Sequence, residues 1–243
     1  MTTQILVTGG TGRLGRVLVP RLAADGHAVR VLSRKPSPQT CHGDLLTGEG
    51  LDAAVAGVEV IVHCATGNGR SDVDGTRNLV QAAARAGRPH LLYVSIVGVD
   101  RVALPYYRAK LACERLVERS GLPWTIQRTT QFHELVAWMC AVQRWLPVVV
   151  MPRGVSFQTV DTGEVAARLA MLADAPPSGR VPDLGGPEVR PAADLARAYL
   201  RSRGGRRPVV SLPMPGLRGY REGGHLTPEH ADGRITFDQF LAA

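Results

Sequence analysis

Thr8-Gly9-Gly10-Thr11-Gly12-Arg13-Leu14-Gly15 is the stretch that decides the fold. The apolar run Ile5-Leu6-Val7 precedes it. Arg16 to Ala24 follows, with Val17, Leu18, Val19 and Leu22 as apolar positions. The order is strand, glycine turn, helix. Gly9 permits a tight turn, Gly12 lets the backbone approach a pyrophosphate, and Gly15 lets the helix pack close to the strand. The N–H groups at the helix start then face the anion. A glycine triplet alone is a weak signal, and its place between a strand and a helix gives it weight. The bland alternative is a glycine-rich turn that holds no ligand.

Outward from this motif the chain alternates. Residues 4–7 read as the first strand and 13–25 as the first helix, closed by Gly26-His27. Residues 28–32 form the second strand. At its end NAD-specific sites place a carboxylate for the ribose 2′-hydroxyl. This chain has Ser33-Arg34-Lys35 there. A hydroxyl and two cations suit a 2′-phosphate, so the pattern favours NADP(H) over NAD(H). Arg13 approaches the same phosphate, and the alternative is an ordinary basic turn. A short third strand is expected to end before His42. Helix 51–56, strand 58–63 and a helix from Asp74 through Ala86 follow. His63 reads as a strand-end histidine. Leu91–Val94 is the fifth strand, running into Ser95. A helix then runs from Pro105 to Glu118, and Trp124–Arg128 is the sixth strand. The alternation predicts an α/β fold, a doubly wound parallel sheet of Rossmann type. The glycine loop and Ser95 would both lie at carboxyl ends of strands, where such folds bind ligands.

Beyond residue 128 the pattern is less regular. Residues 131–144 read as a helix and 147–152 as a short strand. Residues 162–173 read as a helix capped by Asp161, and 192–200 as a further helix. The expectation is a single NAD(P)-binding domain over 1–243. Residues 1–130 are mainly its cofactor-binding core, and 131–243 supply a small substrate-capping lobe.

Glycines at 9, 12 and 15 in the pattern TGxxGxxG resemble the short-chain dehydrogenase/reductase superfamily, in its atypical NmrA-like branch. The resemblance runs over nearly the whole chain. It implies that Asp44 and Leu45 flank the adenine, and that Ala65 and Thr66 pass beside the cofactor. It also implies that Asn78 braces the neighbouring strands. Tyr106 and Lys110 have the YxxxK spacing of the superfamily and share a helix face. A tyrosine hydroxyl near pKa ~10 is a poor acid at neutral pH, and a nearby ammonium lowers that value. With Ser95, Tyr106 and Lys110 would form the catalytic set, Tyr106 giving the proton and Lys110 also binding the nicotinamide ribose. Tyr107 lies three residues from Lys110 and competes for the same place. Many relatives carry Arg-Pro after the sixth strand, where this chain has Arg128-Thr129. Thr129 would contact the carboxamide. Gln131, Phe132, His133 and Trp138 would line the substrate side, with His133 either a polar wall residue or a second acid.

Composition narrows the classes. The length of 243 residues suits one α/β domain and a sizeable core. No apolar stretch approaches a membrane span, since Arg144 and Pro147 interrupt the longest. A strand so near the N-terminus leaves no room for a signal peptide, and the expected location is cytoplasmic. Cys41, Cys64, Cys113 and Cys140 show no CxxC pairing and no metal spacing, so reduced thiols and no metal are expected. The formal charge is +8, yet the arginines are scattered, and only Arg201 to Arg207 is dense. That scatter argues against nucleic acid. Of 29 basic residues only Lys35 and Lys110 are lysines.

The expected function is an NADPH-dependent reductase that passes hydride to a small or medium carbonyl, enone or quinone-like substrate. The alternatives are an NADP(H)-binding NmrA-like sensor without turnover and an isomerase with tightly held cofactor. The expected partner is a small molecule, and no membrane is expected to be involved. A homodimer or a regulatory protein partner stays open.

Overall fold

The computed structural model describes residues 2–35, 37–38, 40–67 and 69–243. In chain order the elements begin β1 (Gln4–Thr8), α1 (Gly15–Ala24), β2 (Ala28–Ser33), β3 (Cys41–His42), α2 (Leu51–Val55), β4 (Val60–His63) and α3 (Arg70–Arg85). Then come β5 (His90–Ile96), α4 (Pro105–Glu118), β6 (Trp124–Thr129), α5 (His133–Ala141), β7 (Val149–Pro152) and β8 (Ser156–Phe157). Last are α6 (Thr162–Asp174), β9 (Gly179–Arg180), β10 (Arg190–Pro191), α7 (Ala192–Ser202), β11 (Val209–Leu212), α8 (Arg218–Arg221) and α9 (Phe237–Ala242).

The central sheet has seven strands in the order β3-β2-β1-β4-β5-β6-β9. Pairing runs parallel from β2 through β1 to β4 and β5, with Val7 opposite both Val31 and Val62. This is the doubly wound arrangement expected. Strand order reverses between β1 and β4, so their following loops diverge and leave a crevice at the carboxyl ends. The inner strands read as continuous apolar runs because both faces are covered. Leu6, Ile61 and Leu91 are fully buried in one cluster with Leu51, Leu79 and Ile126. Each such side chain contributes roughly 1.5–3 kcal/mol of burial.

The chain folds into two compact units. The first holds the segment up to Ser95, Pro105–Arg128 and Val165–Pro182. The second holds Ile96–Leu104, Thr129–Glu164 and Asp183–Ala243. The division is thus no single cut near residue 130, because α6 and β9 return to the sheet of the first unit. The core of the second unit gathers Val136, Met151, Phe157, Leu195 and Phe237. There β11 pairs parallel with β7, and β10 antiparallel with β8.

Several elements depart from the sequence reading. β3 includes His42. α3 starts at Arg70, ahead of Asp74, because the Asp72 carboxylate accepts from the Gly67 N–H and the Thr66 hydroxyl and organises a polar first turn. α5 is shorter than 131–144. Phe132 bridges to Val160 before it, and the His133 N–H donates to the Val160 carbonyl. Asp161 does cap α6, accepting from the N–H groups of Gly163 and Glu164.

Candidate active site

The glycine loop leaves β1 at Thr8. Gly9 sits at φ +69°, and a Cβ there would fall 2.7 Å from the Ala65 Cα, against the loop that leaves β4. At Gly15 a Cβ would fall 2.3 Å from the Gly9 carbonyl oxygen, so the helix start packs directly on the loop. Gly12 differs. A Cβ there would meet only the Gly9 carbonyl oxygen, at 3.1 Å, among the described residues within 4 Å. Thr11, Gly12 and Arg13 are exposed and Leu14 is buried beneath them. α1 begins with no side-chain cap at Leu14. The outer face of the loop is open and borders the positive end of the helix dipole.

At the end of β2 the Ser33 hydroxyl accepts from the Lys35 N–H at 3.1 Å and shapes the turn. Arg34 and Lys35 are exposed. Asp44 holds its own turn, accepting from the Leu46 N–H at 2.8 Å. The Asn78 amide on α3 donates to the carbonyls of Leu45 and Leu46. Asn78 therefore braces the loop after β3.

The expected catalytic residues lie in the first unit. Ser95, near the carboxyl end of β5, is 1% exposed, and among the described residues its hydroxyl has no hydrogen-bond partner. Lys110 is 4% exposed and donates to the Val94 carbonyl at 3.0 Å. Its ammonium stands 4.9 Å over the Tyr93 ring. Tyr106, one turn earlier on α4, is half-buried, and its hydroxyl lies 3.5 Å from the Thr66 hydroxyl. Tyr107 is buried and meets Tyr106 edge-on. The ring beside the loop after β4 is therefore Tyr106. Asp72 was not anticipated. It accepts from Thr66 at 2.8 Å and so fixes that hydroxyl beside Tyr106. A local signal existed, an acid six residues after Thr66, but no periodicity marks it.

Beneath this set runs a buried polar chain. The His63 ring nitrogens pair with the hydroxyls of Thr8, at 2.6 Å, and Thr76, at 3.1 Å. Burial, reinforced by the Lys110 charge, pushes His63 down to about 3. In the second unit burial lowers His225 to about 4. Both rings are neutral in the fold, whereas unfolded chains take up their protons near the ordinary histidine value. Stability is therefore full above the ordinary value and falls as pH drops toward the lowered folded values. By pH 5 each ring should cost about 2 kcal/mol. Urea unfolding at neutral pH and at pH 5 checks this, and equal stability at the two would contradict neutral burial.

The expected substrate-side residues belong to the second unit. Thr129 bridges to Leu184, and Gln131 and Thr129 are buried. Phe132 is half-buried and Trp138 is 55% exposed. His133 corrects the expectation of a wall residue or second acid. It is fully buried, with one ring nitrogen 2.8 Å from the Thr159 hydroxyl and the other 3.0 Å from the Ile235 carbonyl. Phe240 stacks on it. With both nitrogens engaged, and its pKa lowered chiefly by burial, it is a core histidine of the second unit. All four cysteines are free. Among the described residues no helix is long and apolar enough to cross a membrane.

A family model described as NAD(P)H-binding matches residues 9–135, just over half of the chain. The chain belongs to this NAD(P)H-binding family. A Streptomyces griseus relative, (4-alkanoyl-5-oxo-2,5-dihydrofuran-3-yl)methyl phosphate reductase, is 31% identical over 83% of this chain and 74% of its own. An uncharacterized protein of Mycobacterium tuberculosis is 30% identical over 65% of this chain, and the match spans only 18% of that longer protein. Among solved structures, the NADPH-dependent quinone oxidoreductase of Escherichia coli in complex with NADPH superposes with a TM-score of 0.85. It is 19% identical, covers 98% of both chains, and shows the fold.

The residues present fit the cofactor of an NAD(P)H-binding protein. The Gly12 side of the loop is open at an uncapped helix start, which suits a pyrophosphate. The buried Ser95 hydroxyl lacks a partner among the described residues, a costly state that a ligand oxygen would relieve. Lys110 has three N–H donors, and its bond to Val94 uses one.

Proposed function

We propose that this protein is an NADPH-dependent oxidoreductase acting on a small or medium carbonyl, enone or quinone-like substrate. The observation that carries the reading is the buried Ser95 hydroxyl, without a partner among the described residues, in the same unit as Tyr106 and Lys110. The glycine loop would hold the pyrophosphate through Thr11, Gly12 and the N–H groups up to Leu14. Ser33, Arg34, Lys35 and Arg13 would hold the 2′-phosphate, and Asp44 and Leu45 would flank the adenine. Lys110 would bind the nicotinamide ribose, with Ala65 and Thr66 alongside. The bound nicotinamide supplies the hydride.

Ser95 would donate to the substrate oxygen, and Tyr106 would deliver the proton that neutralises it. Thr66, oriented by Asp72, would hold the Tyr106 hydroxyl in place. The Streptomyces relative is named as a reductase of an unsaturated lactone, and the Escherichia coli neighbour as a reductase of quinones. Both names support a conjugated acceptor here.

Calorimetric titration with NADPH, NADP+, NADH and NAD+ tests the cofactor, and a panel of enones and quinones tests turnover. Tight NADPH binding with weak NADH binding is expected. Replacing Arg34 and Lys35 together by alanine should weaken NADPH by about tenfold to a hundredfold, at the usual strength of charge-assisted hydrogen bonds, and leave NADH nearly unchanged. Equal losses for both would sink the 2′-phosphate assignment. Binding of NADPH without turnover of any acceptor would replace the reductase by the sensor reading.

A further inference from the structure

In the second unit, α5 turns its Val136 and Cys140 side inward to the core. The opposite side is apolar too. Trp138, Val142 and Trp145 follow at spacings of four and three, which keeps them on one face. The helix tightens into shorter turns through Leu146, so the row continues past Ala141. Trp145 is 83% exposed, Trp138 55%, Val142 50% and Leu146 47%. A contiguous exposed row of two indoles and two aliphatic groups calls for a partner.

The surroundings of this row are cationic. From Leu195 to Arg221 the chain has seven arginines and no acidic residue, of which Arg197 and Arg218 pair with Asp194 and Glu222 just outside, and no acidic residue occurs between Leu135 and Val160. The turn carrying Arg203, Arg206 and Arg207 is tied to the row. Arg207 donates to the carbonyls of Gln143, at 2.6 Å, and Leu146, at 3.1 Å, and Val149 pairs with Val209 beside it. Arg203 and Arg206 are exposed there. The Arg144 guanidinium lies 5.0 Å over the Trp145 ring and carries charge to the rim of the patch.

We infer that this face, Trp138, Val142, Trp145 and Leu146 ringed by Arg144, Arg203 and Arg206, docks the protein on an anionic lipid bilayer. Indoles and aliphatic groups enter the interface between headgroups and chains, and arginines pair with the phosphates. Charge complementarity selects this occupant. A second copy across a two-fold axis would enclose both sets of arginines with no acidic side chain from these segments to pair them. A nucleic-acid strand would stack on the indoles but offer little to Val142 and Leu146. The chain has no spanning helix among the described residues, so the contact is peripheral. It departs from the expectation that no membrane is involved, which rested on the lack of a span.

The test is cosedimentation of the full chain with vesicles of equal parts phosphatidylglycerol and phosphatidylcholine, against pure phosphatidylcholine. Binding to the anionic vesicles alone is expected, with a blue shift of tryptophan emission. Arg203→Gln with Arg206→Gln should weaken partitioning about twenty-five-fold, at about fivefold per cation. Trp145→Ser should weaken it about tenfold and reduce the blue shift to the part that Trp138 contributes. Unchanged NADPH titration in both variants shows that they fold. Absence of binding to anionic vesicles overturns the proposal. So does binding that Trp145→Ser leaves unchanged, which is adsorption by net charge alone. Displacement from vesicles by a single-stranded oligonucleotide that binds through Trp145 would reassign the face to nucleic acid and overturn it equally.

Discussion

Tyr106→Phe is expected to lower turnover of the best acceptor by about a hundredfold to ten-thousandfold, the usual worth of a positioned proton donor. NADPH binding should not change, because the phenol is half-buried beside Thr66 while the glycine loop is built from other elements. The phenylalanine ring keeps the edge-on contact with Tyr107 and removes only the hydroxyl. Tyr107→Phe is the matched control, since Tyr107 is buried on the same helix. Steady-state rates with NADPH titrations in parallel read the result. If Tyr106→Phe keeps full turnover, Tyr106 is not the acid.

Glu114→Ala is expected to destabilise the protein by about 3–5 kcal/mol. Glu114 and Arg128 form a two-point ion pair, with contacts of 2.8 Å and 2.6 Å, and both are almost wholly buried. Arginine cannot shed its proton, so deletion of the carboxylate takes two charge-assisted bonds from a buried guanidinium. Glu114→Leu with Arg128→Leu should recover part of the loss, because it also removes the buried charge. Urea unfolding of the two variants decides it. A loss below about 1 kcal/mol in the single variant would mean that water or another group takes over the guanidinium. The pair also bears on the site. Tyr106, Lys110 and Glu114 recur every four residues on α4, so the bond from Glu114 to β6 sets how that helix presents its tyrosine and lysine.

Much of the first unit was legible because local chemistry dictates it. The strand, glycine loop and helix at residues 4–24 need only neighbours in sequence, and α4 runs from Pro105 to Glu118 as expected. Tyr106 and Lys110 share a face by helix geometry alone, but which of Tyr106 and Tyr107 lies beside Thr66 shows only in the packing. The start of α3 was missed because Arg70, Ser71 and Asp72 look like loop until Asp72 is seen capping Gly67 and Thr66. β9 and β10 have two residues each, too short for any alternation to register. His133 was misplaced for a different reason. Its enclosure comes from Phe237, Phe240 and Ile235, about a hundred residues away in sequence, so no local pattern reports it.

The interleaved path of the chain also bears on synthesis. α6 and β9 complete the sheet of the first unit, yet they follow a long excursion into the second. On the ribosome, the β6 edge and the face that Val165, Leu169 and Ala173 bury stay uncovered until about residue 182 has emerged. A nascent chain stalled between Thr129 and Val165 carries the whole nucleotide loop but an open sheet edge, a template for pairing with another such chain. Shortened versions that end near residue 130 should aggregate for the same reason, whatever they retain of the glycine motif.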